Sequence, residues 1–170
     1  PGEVVWIDLE ARLWPADLPS MTGRTTGLSA VVQAGPSGRL YGYDGLGGAW
    51  VEATHGPSVD AGTWLHLTVK SDYAARTWSL YVDGLPLLAN LGFADHGVRS
   101  FSRVGLRGDE NALALLDSIR VENVTPAFID DDRDGLPNVL EDANGNGTVD
   151  TGESDWRTAD TDADGMDDGR

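Results

Sequence analysis

Residues 1–125 alternate apolar and polar positions with a period of two. In the stretch Val5-Trp6-Ile7-Asp8-Leu9-Glu10-Ala11-Arg12-Leu13 the odd positions are apolar and the even ones mostly polar. That is how a strand reads when one of its faces is buried. Comparable runs occupy 28–34, 39–43, 49–53, 63–70, 77–83, 86–91, 98–107 and 112–121. Turn-forming residues separate them: Gly35-Pro36-Ser37-Gly38, Asp44-Gly45, Gly47-Gly48 and Asp83-Gly84. Asp-Gly suits a tight hairpin because both central residues of a type I′ turn require positive φ. No helical period emerges. Short strands at this spacing predict an all-β, antiparallel sandwich or barrel.

The alternation stops near Thr125-Pro126, and the charge changes at the same place. From residue 129 to 170 there are twelve Asp and two Glu against three Arg, a net of −11 out of −16 for the whole chain. So many carboxylates repel one another unless cations neutralise them. The boundary divides the chain into 1–126, a folded β domain, and 127–170, an acidic segment with little regular secondary structure.

The acidic residues keep a register. A twelve-residue calcium loop offers oxygens from positions 1, 3, 5, 7 (a backbone carbonyl), 9 and 12, with glycine at 6. Residues 130–141, DDDRDGLPNVLE, supply Asp130, Asp132, Asp134, Leu136, Asn138 and Glu141, with Gly135 at the turn. The next twelve residues repeat the pattern with Asp142, Asn144, Asn146, Thr148, Asp150 and Glu153 around Gly147. A third copy places Asp160, Asp162, Asp164, Met166 and Asp168 around Gly165 and ends one residue short of its twelfth position. A hard cation takes six to eight oxygens, more than one side chain can give, so alternate residues of a tight loop must converge on it. Ca²⁺ is the expected cofactor. The second loop has two Asn in place of carboxylates and is expected to bind more weakly than the first.

Glu141 is followed directly by Asp142, so no helix of useful length separates the first two loops, and they are not paired EF-hands. Close tandem D-x-D-x-D-G-x-x-[DN] loops resemble thrombospondin type-3 repeats, including bacterial ones. The resemblance covers 130–170 and implies a calcium-wrapped rod beside β-sandwich domains of secreted or surface proteins. With so few apolar residues available, calcium is expected to replace a core, which links folding to the ion.

The β domain carries a resemblance of its own. Residues 62–87, GTWLHLTVKSDYAARTWSLYVDGLPL, look like the laminin-G-like branch of the concanavalin A-like lectin/glucanase superfamily, and 115–124, LLDSIRVENV, is similar to its final strand. The resemblance implies a two-sheet jelly roll, with further strands expected upstream of Pro1. Glucanases of that superfamily carry E-x-D-x-E on one strand. Here Trp6 stands where the nucleophilic Glu would be, ahead of Asp8 and Glu10. Retaining glycosidases need both carboxylates, so no catalytic residue is expected and the chain reads as non-enzymatic. Cysteine is absent, and His55, His66 and His96 are scattered without ligand spacing.

Trp6, Tyr41, Tyr43, Trp64, His66 and Tyr81 are candidate ligand-binding residues, since sugar rings stack on aromatics. Filling the sandwich core or covering its edges is the favoured alternative for them. The net charge argues against nucleic acid, and no run is long enough to span a membrane. The chain opens in strand-like sequence and ends inside a repeat, so it reads as a fragment of a larger bacterial extracellular protein. Its expected role is structural and recognition-related, with neighbouring domains as partners and carbohydrate as the first ligand class. A carbohydrate-binding module serving a polysaccharide-active enzyme is the runner-up, and a degenerate or active glucanase the third reading.

Overall fold

The computed structural model describes residues 3–60, 62–105 and 114–170. The chain forms two compact units, one made of Pro1–Asp83 with Leu87–Val124, the other of Gly84–Pro86 with Thr125–Arg170. No helix among the described residues is long and apolar enough to cross a membrane.

The described residues form eight strands: β1 (Val4–Leu13), β2 (Val32–Ala34), β3 (Leu40–Asp44), β4 (Ala49–Glu52), β5 (Trp64–Asp72), β6 (Thr77–Val82), β7 (Leu85–Gly92) and β8 (Ala114–Glu122). They form a five-stranded sheet, β7-β6-β5-β1-β8, and a three-stranded sheet, β2-β3-β4. Every pairing described residue by residue is antiparallel. β1 lies between β5 and β8, with Leu9 opposite Leu67 and Glu10 opposite His66. Its odd residues Val5, Ile7, Leu9 and Ala11 are buried with Leu65, Leu67 and Val69 of β5. Leu40 and Ala34 join the same cluster from the smaller sheet, so the core lies between the two sheets. Burying each such aliphatic side chain contributes about 1.5–3 kcal/mol.

Turn chemistry fixes the connections. Asp83 and Gly84 have φ of 52° and 83°, as a tight hairpin demands. After β3, the Asp44 carboxylate accepts from the amides of Leu46, Gly47 and Gly92. Only glycine fits at 45, where a Cβ would lie 2.0 Å from the Phe93 carbonyl oxygen.

Two expected strands differ. Of 28–34, only Val32–Ala34 is a strand, because the carbonyls of Leu28 and Ser29 accept from Asp95 and Ala94 instead of extending the ladder. Residues 98–105 contain no strand: Val98, Phe101 and Val104 pack on the core from a loop, which satisfies their apolar spacing without a pairing partner. The ends of the expected runs at 106–107 and 112–113 lie outside the described residues.

Between Thr125 and Arg170 the second unit has one short helix, α1 (Asn138–Glu141), and is otherwise turns, bends and loops. Ile129 is its fully buried apolar side chain, and Glu141 is buried to the same degree.

Candidate metal centre

Each acidic register folds into the same loop. The position 1 carboxylate accepts from the position 6 glycine amide: Asp130 from Gly135 at 3.1 Å, Asp142 from Gly147 at 2.9 Å and Asp160 from Gly165 at 2.9 Å. The position 3 side chain accepts from the amide at position 5, at Asp132, Asn144 and Asp162. The position 5 side chain accepts from position 7, where Asp134 binds Leu136 N–H, Asn146 binds Thr148 N–H and Asp164 binds Met166 N–H. These bonds turn the alternate side chains inward. The turn itself requires positive φ at the glycine, which is 98° at Gly135, 76° at Gly147 and 93° at Gly165.

In the first and third loops the position 9 amide closes the turn onto the residue before position 1, Asn138 to Ile129 and Asp168 to Ala159, both at 2.8 Å. Carboxylate oxygens of Asp130, Asp132 and Asp134 then lie within 4.8 Å of one another, and so do those of Asp160, Asp162 and Asp164. A third group joins Asp134 and Glu141 to Asp168 within the same limit. Like charges at this spacing repel by roughly 3–4 kcal/mol per pair at an effective dielectric of about 20.

The second loop is closed differently. Asp150 accepts from the side-chain amides of Asn144 and Asn146 at 2.8 and 2.7 Å, and these bonds hold its carboxyl below the ordinary carboxylate value. Glu153 accepts from the Asn144 and Asp150 amides. With its carboxylates bound to N–H groups and neutral Asn at two positions, this loop carries less unbalanced charge than the others.

Glu141 is where the electrostatics are most strained. It is fully buried, Oε1 accepts from Ser154 at 3.1 Å, and Oε2 has no hydrogen-bond partner among the described residues. Burial, reinforced by the charges of Asp132, Asp134 and Asp130, pushes its carboxyl up to about 7 against the Ser154 bond. Asp132 is raised for the same reasons, and its Oδ2 is likewise buried without a partner among the described residues. An unpaired buried carboxylate oxygen costs several times what a satisfied one does. Two such oxygens beside gathered aspartates fit a hard cation with an all-oxygen shell. Asp130, Asp132 and Asp134 would hold it, with Glu141 beside Asp134 in the adjoining group and the Leu136 carbonyl at position 7 of the loop.

Asn138, the expected position 9 ligand, also bonds to Asp131. Its Oδ1 accepts from Asp131 N–H at 2.9 Å and its Nδ2 donates to Asp131 at 2.8 Å, so the side chain braces the loop's outer side. The third loop also returns to the first, with Gly169 N–H donating to Asp134 Oδ2 at 2.7 Å. This bond brings residues 134 and 169 into contact. Sequence spacing does not reveal this contact between positions so far apart, nor the Ser154 bond to Glu141.

The six candidate ligand residues of the sandwich divide between two surfaces. Trp6, Trp64, His66 and Tyr81 share the face of the larger sheet opposite the core, as the register of β1, β5 and β6 requires. Trp6 and Tyr81 are buried there, with ring centroids 5.6 Å apart and Lys70 Nζ 5.0 Å above the Trp6 ring. Neither belongs to the core between the sheets. Trp64 is 43% exposed. His66 Nε2 lies 2.7 Å from Asp8, which also accepts from Thr68 at 2.8 Å. Tyr41 and Tyr43 stand on the smaller sheet, where Tyr41 donates to Glu52 and Tyr43 meets the Trp50 ring edge-on.

No protein-family model matches the chain, and no curated protein does. Among solved structures, one described as a sialidase resembles it with a TM-score of 0.46 at 12% identity, across 73% of this chain. The chain spans 14% of that protein's length. So slight a likeness carries no argument about fold or function.

Proposed function

We propose that this chain is a calcium-binding, non-enzymatic module in which residues 130–170 are ordered by Ca²⁺ and the sandwich serves recognition. The observation that carries this reading is the buried, unpartnered oxygen of Glu141 beside the gathered carboxylates of the first loop. A cation supplies the missing charge and the missing bond at once. The affinity expected of an extracellular site is on the order of 10⁻⁴–10⁻³ M. Calorimetry with Ca²⁺ on the full chain tests it: heat that saturates in the wild type and is lost in Asp132→Ala supports the reading. Equal heats from both proteins would sink it.

For the sandwich we propose the laminin-G-like jelly roll, in a bacterial secreted or surface protein with other domains beside it. Carbohydrate is the ligand class that its exposed aromatic favours. Trp64 is half-exposed on the face that also carries His66, Asp8 and Glu10, which puts a flat ring beside polar groups. A glycan array with the wild type and Trp64→Ala checks this; binding that ignores the substitution would remove Trp64 from the site.

A further inference from the structure

At position 9 of the first loop the Asn138 side chain is engaged with Asp131, its Oδ1 accepting one N–H and its Nδ2 donating. The third loop brings a carboxylate to the same neighbourhood. Asp168 places an oxygen within 4.8 Å of ligand oxygens of Asp134 and Glu141. Its own position is fixed from three sides. The amide donates to Ala159, and Oδ2 accepts from both the amide and the hydroxyl of Thr161, at 3.1 and 2.6 Å. Among the described residues nothing hydrogen-bonds the other oxygen.

The backbone next to it is seated as closely. Gly169 donates to Asp134 Oδ2, and a Cβ at 169 would come within 2.5 Å of the Asp134 carbonyl oxygen and 2.9 Å of the Leu136 amide. Only glycine allows that approach. Three carboxylates brought together, one of them wholly buried with an orphan oxygen, repel one another at this contact unless a cation or a proton lies among them.

We propose that the cation site of the first loop is completed by Asp168 of the third, so that one ion bridges residues 134, 141 and 168. The ion then acts as a clasp that holds the two ends of the acidic segment together. Binding at the first loop depends on a residue 38 positions from its start. This inference rests on the calcium reading above and adds the bridging ligand to it.

Calorimetric Ca²⁺ titration of the full chain, comparing wild type with Asp168→Asn and Asp167→Asn, tests the bridge. Both substitutions remove one charge near the C-terminus, but Asp167 pairs with Arg170 and belongs to none of the carboxylate groups. Asp168→Asn is expected to weaken the tightest site by about tenfold or more, at least what is lost with a supporting group around a metal. Asp167→Asn should change it little, as one screened surface charge does. An Asp168→Asn protein that keeps wild-type affinity at its tightest site, while Asp132→Ala loses it, would overturn the bridge and leave the calcium reading standing. Loss of one bound ion with the tightest affinity unchanged would also overturn it, because Asp168 would then serve a separate ion. A wild type that takes up no Ca²⁺ would overturn both.

Discussion

Replacing Glu141 by Gln removes a charge from a fully buried side chain while keeping its size and the reach to Ser154. The Glu141 carboxyl is pushed up to about 7 from an ordinary value of 4.5, chiefly by burial. A value raised in the folded state means that the neutral acid is the form the fold favours. Its stabilising contribution is complete below pH 4.5 and is lost as pH rises through about 7. The loss amounts to about 3 kcal/mol, from ~1.4 kcal/mol per tenfold change in proton affinity. At pH 8 in chelator, Glu141→Gln should therefore hold the acidic segment more tightly than the wild type does. The difference is roughly 10²-fold in amide-exchange protection. Asn138 is the residue to read, since its N–H is bonded to the Ile129 carbonyl beneath the loop. In millimolar Ca²⁺ the order should invert, because the ion needs the carboxylate that Gln lacks. If Gln lowers protection in chelator as well, Glu141 is not an uncompensated buried acid, and the reasoning from its orphan oxygen fails.

Ca²⁺ must displace the Glu141 proton, so apparent affinity should climb as pH rises from about 5 and level off above about 7, and calorimetry in buffers of different ionisation heat would register the released proton. Chelator should speed tryptic cleavage after Arg133 and Arg157 while the strands of the sandwich keep their protection; unchanged cleavage at both would mean that calcium does not hold the segment. Gly135→Ala should cost the first loop about 1–3 kcal/mol, because its φ of 98° is one that L side chains rarely adopt, and weaker Ca²⁺ binding without loss of the sandwich is the expected reading. The sandwich should hydrolyse no β-glucan; turnover that disappears in Glu10→Gln would show the strand to be catalytic.

Much of the fold is legible in the sequence wherever one residue's environment follows from its neighbours. The alternation of β1 puts Val5, Ile7, Leu9 and Ala11 on the core face, and Asp83-Gly84 adopts the positive φ values its hairpin needs. The loop register of Asp130, Asp132 and Asp134 likewise gathers three carboxylates, because alternate residues around a glycine turn inward. Period two fails at 98–105, where Val98, Phe101 and Val104 meet the core from a loop; apolar spacing reports burial and is silent on backbone pairing. The aromatics show the same limit. Trp6 follows the polar parity of β1 yet is buried against Tyr81, a contact that only the register of β5 and β6 creates. Asp168 and Asn138 make contacts that the loop template does not specify: Asp168 lies by Asp134 and Glu141 because the third loop packs on the first, whereas Asn138 bonds Asp131 within its own loop.

The amides of Gly135, Gly147 and Gly165, each bonded to the first carboxylate of its loop, report on the loops individually. Following their NMR resonances during a Ca²⁺ titration of the full chain tests the central claim most directly. The account predicts saturable shifts of Gly135 and Gly165, a weaker response at Gly147, and reversal by chelator. Resonances of all three that stay in place through millimolar Ca²⁺ would contradict it.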